Sequence, residues 1–422
     1  MSTNTGRRVE IMAPVGSYES LVAAQQGGAD SVYFGVGKLN MRSGSSRNFT
    51  LEDLEKITRF AHDHGIRTYL TLNTVIYDHE MDEMRRVADA AKKAGISAII
   101  ASDMAVISYA RSIGMEIHMS TQTNVSNIEA VRHWSAFADV IVTARELSLD
   151  QVSGIIGTIQ RDGIRGPSGN LVEVELFAHG ALCMAISGKC YLSLDYENSS
   201  GNRGQCLQLC RRPYKVTDLD GKHEMVIDNE YIMSPKDLCT IEFLDKILDA
   251  GVMVLKIEGR GRPADYVKTV VSCYREAADY WLTGRWSDAP MEEWMARLRA
   301  VYNRGFWEGY YLGRKLGEWT KTYGNLATHK KVYAGKVNNF FSNLSVAEIK
   351  VEAEPLAKGD TIVIIGPTTG VYEDVLQEIR VDLQPVEVAE KGELCSFRTS
   401  SPVRRGDKLY RVVPAGTVSD YQ

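Results

Sequence analysis

The chain has 422 residues, 44% of them hydrophobic and 24% charged, with a formal net charge of −5. This is globular composition, at a length that suits one large domain plus a smaller one, and it excludes disordered and collagen-like classes. A mildly acidic balance gives no general pull toward nucleic acid or anionic membrane, so an RNA partner would need a local basic face.

The first residues, MSTNTGRRVEIMAPVG, lack the apolar stretch of a signal peptide. No apolar run approaches the roughly 20 residues that span a bilayer. The expectation is a cytoplasmic protein without a membrane partner, in a compartment where thiols stay reduced. From Glu10 to Gly284 one pattern recurs, a short apolar run followed by an amphipathic helical stretch. The runs are EIMAPVG (10–16), SVYFGVG (31–37), IRTYLTLN (66–73), SAIIASD (97–103), EIHMSTQT (116–123), DVIVTARE (139–146), VEVELFAHG (172–180) and VMVLKIEGR (252–260). Nearly continuous apolar runs of this length suit parallel strands covered on both faces. Eight such units predict an α/β fold, a (β/α)8 TIM-type barrel. No glycine-rich dinucleotide loop follows the first run, which counts against an open doubly wound sheet.

The intervening stretches carry helix signals. Thr50 to Asp53, Ser126 to Glu129 and Ser148 to Gln151 have the form of capping boxes. Gly65, Gly95, Gly114 and Gly251 mark helix ends before the next strand. The alternation breaks once, where roughly 70 residues separate the seventh and eighth runs against the roughly 30 of a whole βαβ unit. The excess leaves the C-terminal end of a strand, where barrels of this kind keep their chemistry. Beyond the eighth unit an aromatic, glycine-rich segment leads to short alternating strands with KGD and RGD turns. The expected division is a barrel over 8–284 carrying a cysteine-rich insertion over 181–240, a helical connector over 285–328 and a small β-barrel over 329–415.

Five of the seven cysteines fall within 57 residues, as Cys183-x6-Cys190-x15-Cys206-x3-Cys210-x28-Cys239. Thiolates select zinc, copper(I) or iron–sulfur clusters, and four of them complete a zinc tetrahedron or a cubane. The spacing matches no zinc finger and no compact ferredoxin run, and alone it does not separate zinc from iron–sulfur. Cys273 and Cys395 stand apart and read as buried apolar thiols.

The stretch ELFAHGALCMAISGKCYLS closely resembles the signature of the collagenase-like peptidases, peptidase family U32. So do NRGQCLQLCRRPY (202–214), SPKDLC (234–239), VLKIEGRGRPADYVKTVVSCYR (254–275), NMRSGSSRNF (40–49) and RGFWEGYYLG. The resemblance covers the whole chain. Several members of that family are similar instead to oxygen-independent hydroxylases that act on tRNA, ribosomal RNA or a ubiquinone precursor. The resemblance therefore implies a four-iron–four-sulfur cluster on Cys183, Cys190, Cys206 and Cys239, with Cys210 as a surplus or fallback thiol. Length and the single C-terminal β domain look most like the members of the tRNA hydroxylation protein P type. Those convert the wobble uridine to 5-hydroxyuridine and depend on prephenate. The implied partners are thus tRNA and prephenate or a similar small carboxylic acid, with room for an electron-donor protein. The alternatives are a collagenase-like peptidase and a non-catalytic RNA-binding scaffold with a structural zinc.

Strand ends project further polar residues. Arg42, Arg145 and Arg260 are candidate substrate contacts, because guanidinium forks grip carboxylates at two points. Salt bridges of Arg145 with Glu146 and of Arg260 with Glu258 are the structural alternatives. His179 and Glu258 are candidate acid–base residues, and Asp103 and Gln122 share the rim. CRRPYK (210–215) is a small basic patch that would meet RNA phosphate or stay solvated. No Gly-x-Ser-x-Gly elbow and no His-Glu-x-x-His helix is present, and a cysteine peptidase using His179 would leave the other clustered thiols unexplained.

Overall fold

The computed structural model describes residues 8–44, 48–185, 189–214, 216–221, 224–225, 233–314, 317–321 and 324–416. Eight strands form where the apolar runs stand: β1 Glu10–Pro14, β2 Ser31–Gly35, β3 Arg67–Thr71, β4 Ala98–Ala101, β5 Glu116–Met119, β6 Val140–Val142, β7 Glu173–Gly180 and β8 Val254–Ile257. Each pairs in parallel with the next, and β8 pairs with both β7 and β1, with Glu10 opposite Val254. The sheet therefore closes, which excludes the open doubly wound arrangement.

Helices α1 Tyr18–Gln26, α2 Leu54–Asp63, α3 Met81–Ala94, α4 Met104–Ser112, α5 Ile128–Trp134 and α6 Leu149–Asp162 sheathe the strands. After the insertion helix α7 Leu192–Glu197 come α8 Leu244–Asp249, α9 Ala264–Leu282 and α10 Met291–Ala300. Capping boxes form at Thr50–Asp53 and Ser148–Gln151. The expected box at Ser126 does not. Asn127 caps α5 by accepting from the Ala130 amide at 3.0 Å, so that helix starts one residue later. Asp237–Cys239 is a strand antiparallel to the end of β7, and α8 begins at Leu244.

Alternation along the strands sorts their side chains. Ile11, Phe34, Leu70, Ile117 and Leu255 face the helices in one large apolar core. Met12, Tyr33, Tyr69 and Ile100 form a smaller cluster inside the barrel. Glu10, His118, Glu175 and Lys256 are buried there with it. Among the described residues no helix is long and apolar enough to cross a membrane.

The C-terminal part is an antiparallel β domain around its own core, in which Ile349, Ile362, Ile364 and Leu409 are fully buried. It seats on α1 and α9. The Gln26 side chain donates to Thr369 O and accepts from the Val371 amide, both at 3.0 Å, and Lys268 Nζ donates to Glu373 at 2.7 Å.

The insertion is tied down over the strand C-termini. Gly44 N donates to Gly204 O at 3.0 Å, and Arg211 Nη2 donates to Leu182 O at 2.7 Å. Arg203 donates to Val75 O at 3.1 Å and to Glu80 Oε2 at 2.8 Å. Its hydrogen bonds pull the Glu80 carboxyl down to about 2. A depressed carboxylate supports the fold at all higher pH, so this clasp loosens only as pH falls toward about 2. Gly204 has a φ of +78°, and a Cβ there would collide with Asn40 O and Ser43 Oγ. Gly204→Ala is expected to cost about 2 kcal/mol through strained backbone alone. It should also lift the insertion, read as faster limited proteolysis between residues 189 and 214 at unchanged far-UV circular dichroism.

Candidate functional site at the barrel mouth

A cavity of about 270 Å³ opens at the C-terminal ends of the strands, between the barrel and the insertion. That is where barrels of this class keep their chemistry. Two kinds of side chain dominate its wall, thiols and arginines.

The thiols are Cys183, Cys190, Cys206 and Cys210, all from the insertion. Burial pushes the Cys210 thiol up to about 11, and its three sulfur neighbours add to the shift while Arg211 opposes it. Cys239, the fourth ligand implied by the resemblance, is elsewhere. Its strand pairs it with His179, so its sulfur lies in the core, 4.0 Å from Met295 Sδ and 4.0 Å from Tyr274 Oη. Burial holds that thiol near 12. Cys210 takes the place expected of Cys239, because the turn Leu209–Arg211 carries it to the cavity. Among the described residues no three Cys, His, Asp or Glu side chains stand close enough to hold one metal ion. All four cysteines line the same cavity. An all-thiol donor set of this kind fits an iron–sulfur cluster.

The second wall is cationic, and all three arginines expected at the substrate line it: Arg42, Arg145 and Arg260. Neither anticipated salt bridge forms. Glu258 instead accepts from Arg42 Nε at 3.1 Å. Burial works against the Glu258 charge, but Arg42, with Arg145 and Arg260 behind it, draws the carboxyl down to about 2. Arg260 is buried and donates to Thr71 Oγ1 at 2.8 Å and Asn40 Oδ1 at 3.2 Å. Burial lowers its pKa to about 10. Arg145 lies flat on the Phe177 ring, 3.9 Å from its centroid. Its Nη1 reaches Ala181 O only at 3.5 Å, and its buried Nε has no hydrogen-bond partner. It is the arginine with donors to spare.

Four cations of this wall escape a reading of strand ends: Arg211, Lys256, Arg262 and Arg304. Buried Asp237 holds two of them, 3.8 Å from Arg262 and 3.5 Å from Arg304. The doubled arginines of EGRGRP were the available signal for Arg262. Arg304 arrives from the exit segment, as the first residue of RGFWEGYYLG. Asp103 is structural, capping α4 by accepting from Ala105 N at 2.9 Å.

Sequence comparison decides the affiliation. The profile of peptidase family U32 matches residues 16–321. The chain belongs to peptidase family U32. Within it, the chain is 58% identical over 402 residues to a protein named collagenase from Porphyromonas gingivalis strain W83, covering 95% of this chain and 97% of that one. It is 31% identical to tRNA hydroxylation protein P1 of Bacillus subtilis strain 168, covering 88% and 87%. It is 30% identical to the 23S rRNA 5-hydroxycytidine C2501 synthase of Escherichia coli K12, covering 98% of this chain and 57% of that one. U32 proteins thus carry names from two chemistries, peptide hydrolysis and RNA hydroxylation.

For a U32 peptidase the decisive pair would be a nucleophile beside a base. No histidine lines this cavity among the described residues. His179 is buried behind it, with Nδ1 3.3 Å from Tyr274 Oη and its ring against Tyr274 and Phe306. Burial, helped by Arg262, drives its pKa down to about 3, so the ring stays neutral in a packing role. Outside the cavity lining, the insertion and the segment after β3 present aromatics to solvent. Tyr191, Tyr196 and Tyr77 are 74%, 64% and 49% exposed. Arg203 lies 4.0 Å over the Tyr77 ring and Arg212 lies 5.9 Å over Tyr196. Half of the expected basic patch therefore belongs to the wall (Arg211) and half to this aromatic surface (Arg212), while Lys215 lies outside the described residues.

Proposed function

We propose that this protein is an iron–sulfur RNA hydroxylase that converts the wobble uridine of tRNA to 5-hydroxyuridine with prephenate as co-substrate. The observation that carries the proposal is the meeting of four thiols and a cationic wall in one cavity at the barrel mouth. Cys183, Cys190, Cys206 and Cys210 would hold a four-iron–four-sulfur cluster. The preference for a cluster over zinc rests on the resemblance to the hydroxylase members of the family, since four thiolates suit either. When bound, the cluster supplies the one-electron chemistry that no side chain offers. Arg145 would meet a carboxylate, with Arg42 and Arg260 beside it adding positive potential while held by Glu258, Thr71 and Asn40. Glu258 keeps Arg42 oriented and remains an anion.

The RNA assignment draws on the hydroxylase relatives and on the aromatic surface, since exposed tyrosines with arginines over them are a stacking platform for unpaired bases. The double change Tyr191→Ala, Tyr196→Ala is expected to weaken binding of an anticodon-loop RNA by about tenfold, with the thermal midpoint unchanged. Equal affinity for the two proteins would exclude these tyrosines as the RNA surface. The whole reading is tested by comparing tRNA nucleosides from cells with and without the gene, and then by the purified, anaerobic protein with tRNA and prephenate. Unchanged 5-hydroxyuridine in both settings removes the substrate assignment. The collagenase name of a close relative supports a second reading, proteolysis. Gelatin cleavage that survives complete removal of metal would favour it.

A further inference from the structure

The interior of a (β/α)8 barrel is ordinarily filled by layers of bulky apolar side chains. Here charged groups run along it. Lys256 lines the cavity, and its Nζ donates to Glu175 Oε1 at 2.7 Å, with both residues buried. Glu175 Oε2 and His118 Nδ1 face each other at 3.9 Å, and neither atom has a hydrogen-bond partner. The other ring nitrogen, Nε2, lies 3.1 Å from Glu116 Oε1, which accepts from Arg67 Nη2 at 2.9 Å. Glu116 and Arg67 are the first residues of β5 and β3, at the end of the barrel away from the cavity, and both reach solvent. A line of titratable groups thus joins the cavity to the opposite face.

The charges around His118 do not balance. Glu10 from β1, Glu175 from β7 and Glu116 from β5 itself face two basic side chains, Arg67 from β3 and Lys256 from β8. Tyr69 from β3 stacks on the imidazole and donates to Glu10 at 2.7 Å. Glu173, at the first position of β7, is exposed at the same end. The flanking strands β4 and β6 carry no titratable residue. Three carboxylates against two cations leave one negative charge in excess.

We propose that the barrel interior is a proton path between the cavity and the solvent at the other end, through Lys256, Glu175, His118 and Glu116. A proton passed from the Lys256 ammonium to a group in the cavity is replaced through the Glu175 carboxylate, which first takes a proton from the imidazole and then hands it to the Lys256 amine. That proton leaves His118 at Nδ1, and His118 recovers its proton at Nε2 from the solvent side through Glu116. One proton enters for each one delivered, no electron moves, and the same line runs backward when the cavity releases a proton. The 3.9 Å separation is the switch, closed by rotation of the Glu175 carboxyl or by one water. The path serves whatever reaction the cavity performs and does not rest on the hydroxylase reading.

The test needs neither cluster nor RNA. Histidine nitrogens are labelled with ¹⁵N in the full chain, and the His118 signals are assigned by their loss in His118→Phe, or in His118→Gln should the first not fold. His118 is expected to change protonation state between about pH 5 and about pH 9. Lys256→Met, which removes a positive charge, should raise that midpoint by about one pH unit, while Lys256→Arg leaves it near the wild-type value. Glu116→Gln should slow exchange of the ring N–H with water severalfold. A wild-type imidazole that keeps one protonation state across the range overturns the path without any variant, and so does exchange unaffected by Glu116→Gln.

Discussion

Serine at Cys183, Cys190, Cys206 or Cys210 is expected to strip iron and acid-labile sulfide from anaerobically prepared protein, whereas serine at Cys239 should leave both in place. The wild-type chain should carry about four irons and about four sulfides, falling below about one of each in the first four variants. The contrast between Cys210 and Cys239 decides the ligand set, because only Cys210 lines the cavity with the other three. Ligation requires a thiolate. Cys239 is buried against Met295 and Tyr274, and burial holds it near 12 despite the hydrogen bonds from Ile241 and Tyr274 that favour its anion. Cys210 is also raised, to about 11, but part of that shift comes from the negative charge of the neighbouring sulfurs, which bound iron offsets. Because binding releases thiol protons, loading should strengthen as pH rises from about 6 to about 9. Iron retained by Cys210→Ser and lost by Cys239→Ser would return the ligand set to the one implied by the sequence signature. Stoichiometric zinc in colourless wild-type protein would remove the cluster altogether.

The eight strands were legible because each is nearly continuous in apolar residues, and the helices between them because caps and glycines punctuate them. Closure followed from repetition alone. What the barrel holds was less legible. Glu10, His118, Glu175 and Lys256 all stand inside the quoted runs, yet a near-continuous run hides its own alternation, and only the closed sheet reveals that every second residue points inward. The cysteine cluster announced itself by density, but the choice among five thiols depended on one short strand. Pairing of Asp237–Cys239 with β7 turns Cys239 into the core, and three residues carry too weak a periodicity to show that in advance. Arg42, Arg145 and Arg260 were visible as strand-end arginines. Arg304 was not, since it comes from beyond the barrel and is placed by its contact with Asp237.

The arginine wall yields a second large effect, with opposite signs at two positions. Arg145→Ala is expected to weaken binding of a dicarboxylate, with malonate or prephenate as the probe, by about 30- to 100-fold, the equivalent of about 2–3 kcal/mol of charge-assisted hydrogen bonding. Arg145 bears this loss because its neighbours are already engaged: Arg42 with Glu258, Arg260 with Thr71 and Asn40, and Arg262 and Arg304 with Asp237. Its own Nε is buried without a partner, and Phe177 beneath the guanidinium holds the plane in which a carboxylate would be met. Lysine at this position keeps the charge but not the plane, so Arg145→Lys should recover only part of the affinity. Glu258→Gln should act the other way. It removes the anion that occupies Arg42 and competes with a ligand carboxylate, so malonate binding should tighten severalfold. Because the Glu258 carboxyl sits near 2, that competition is present throughout the pH range of any binding assay, and affinity should not change from titration of this group. Titration calorimetry on the full chain checks all three variants together. A destabilised cavity would weaken binding in each, so tightening in Glu258→Gln beside loss in Arg145→Ala separates the electrostatic account from general damage. Wild-type protein that ignores both dicarboxylates, or Arg145→Ala that binds them as well as wild type, would end the assignment of this wall to a carboxylic acid.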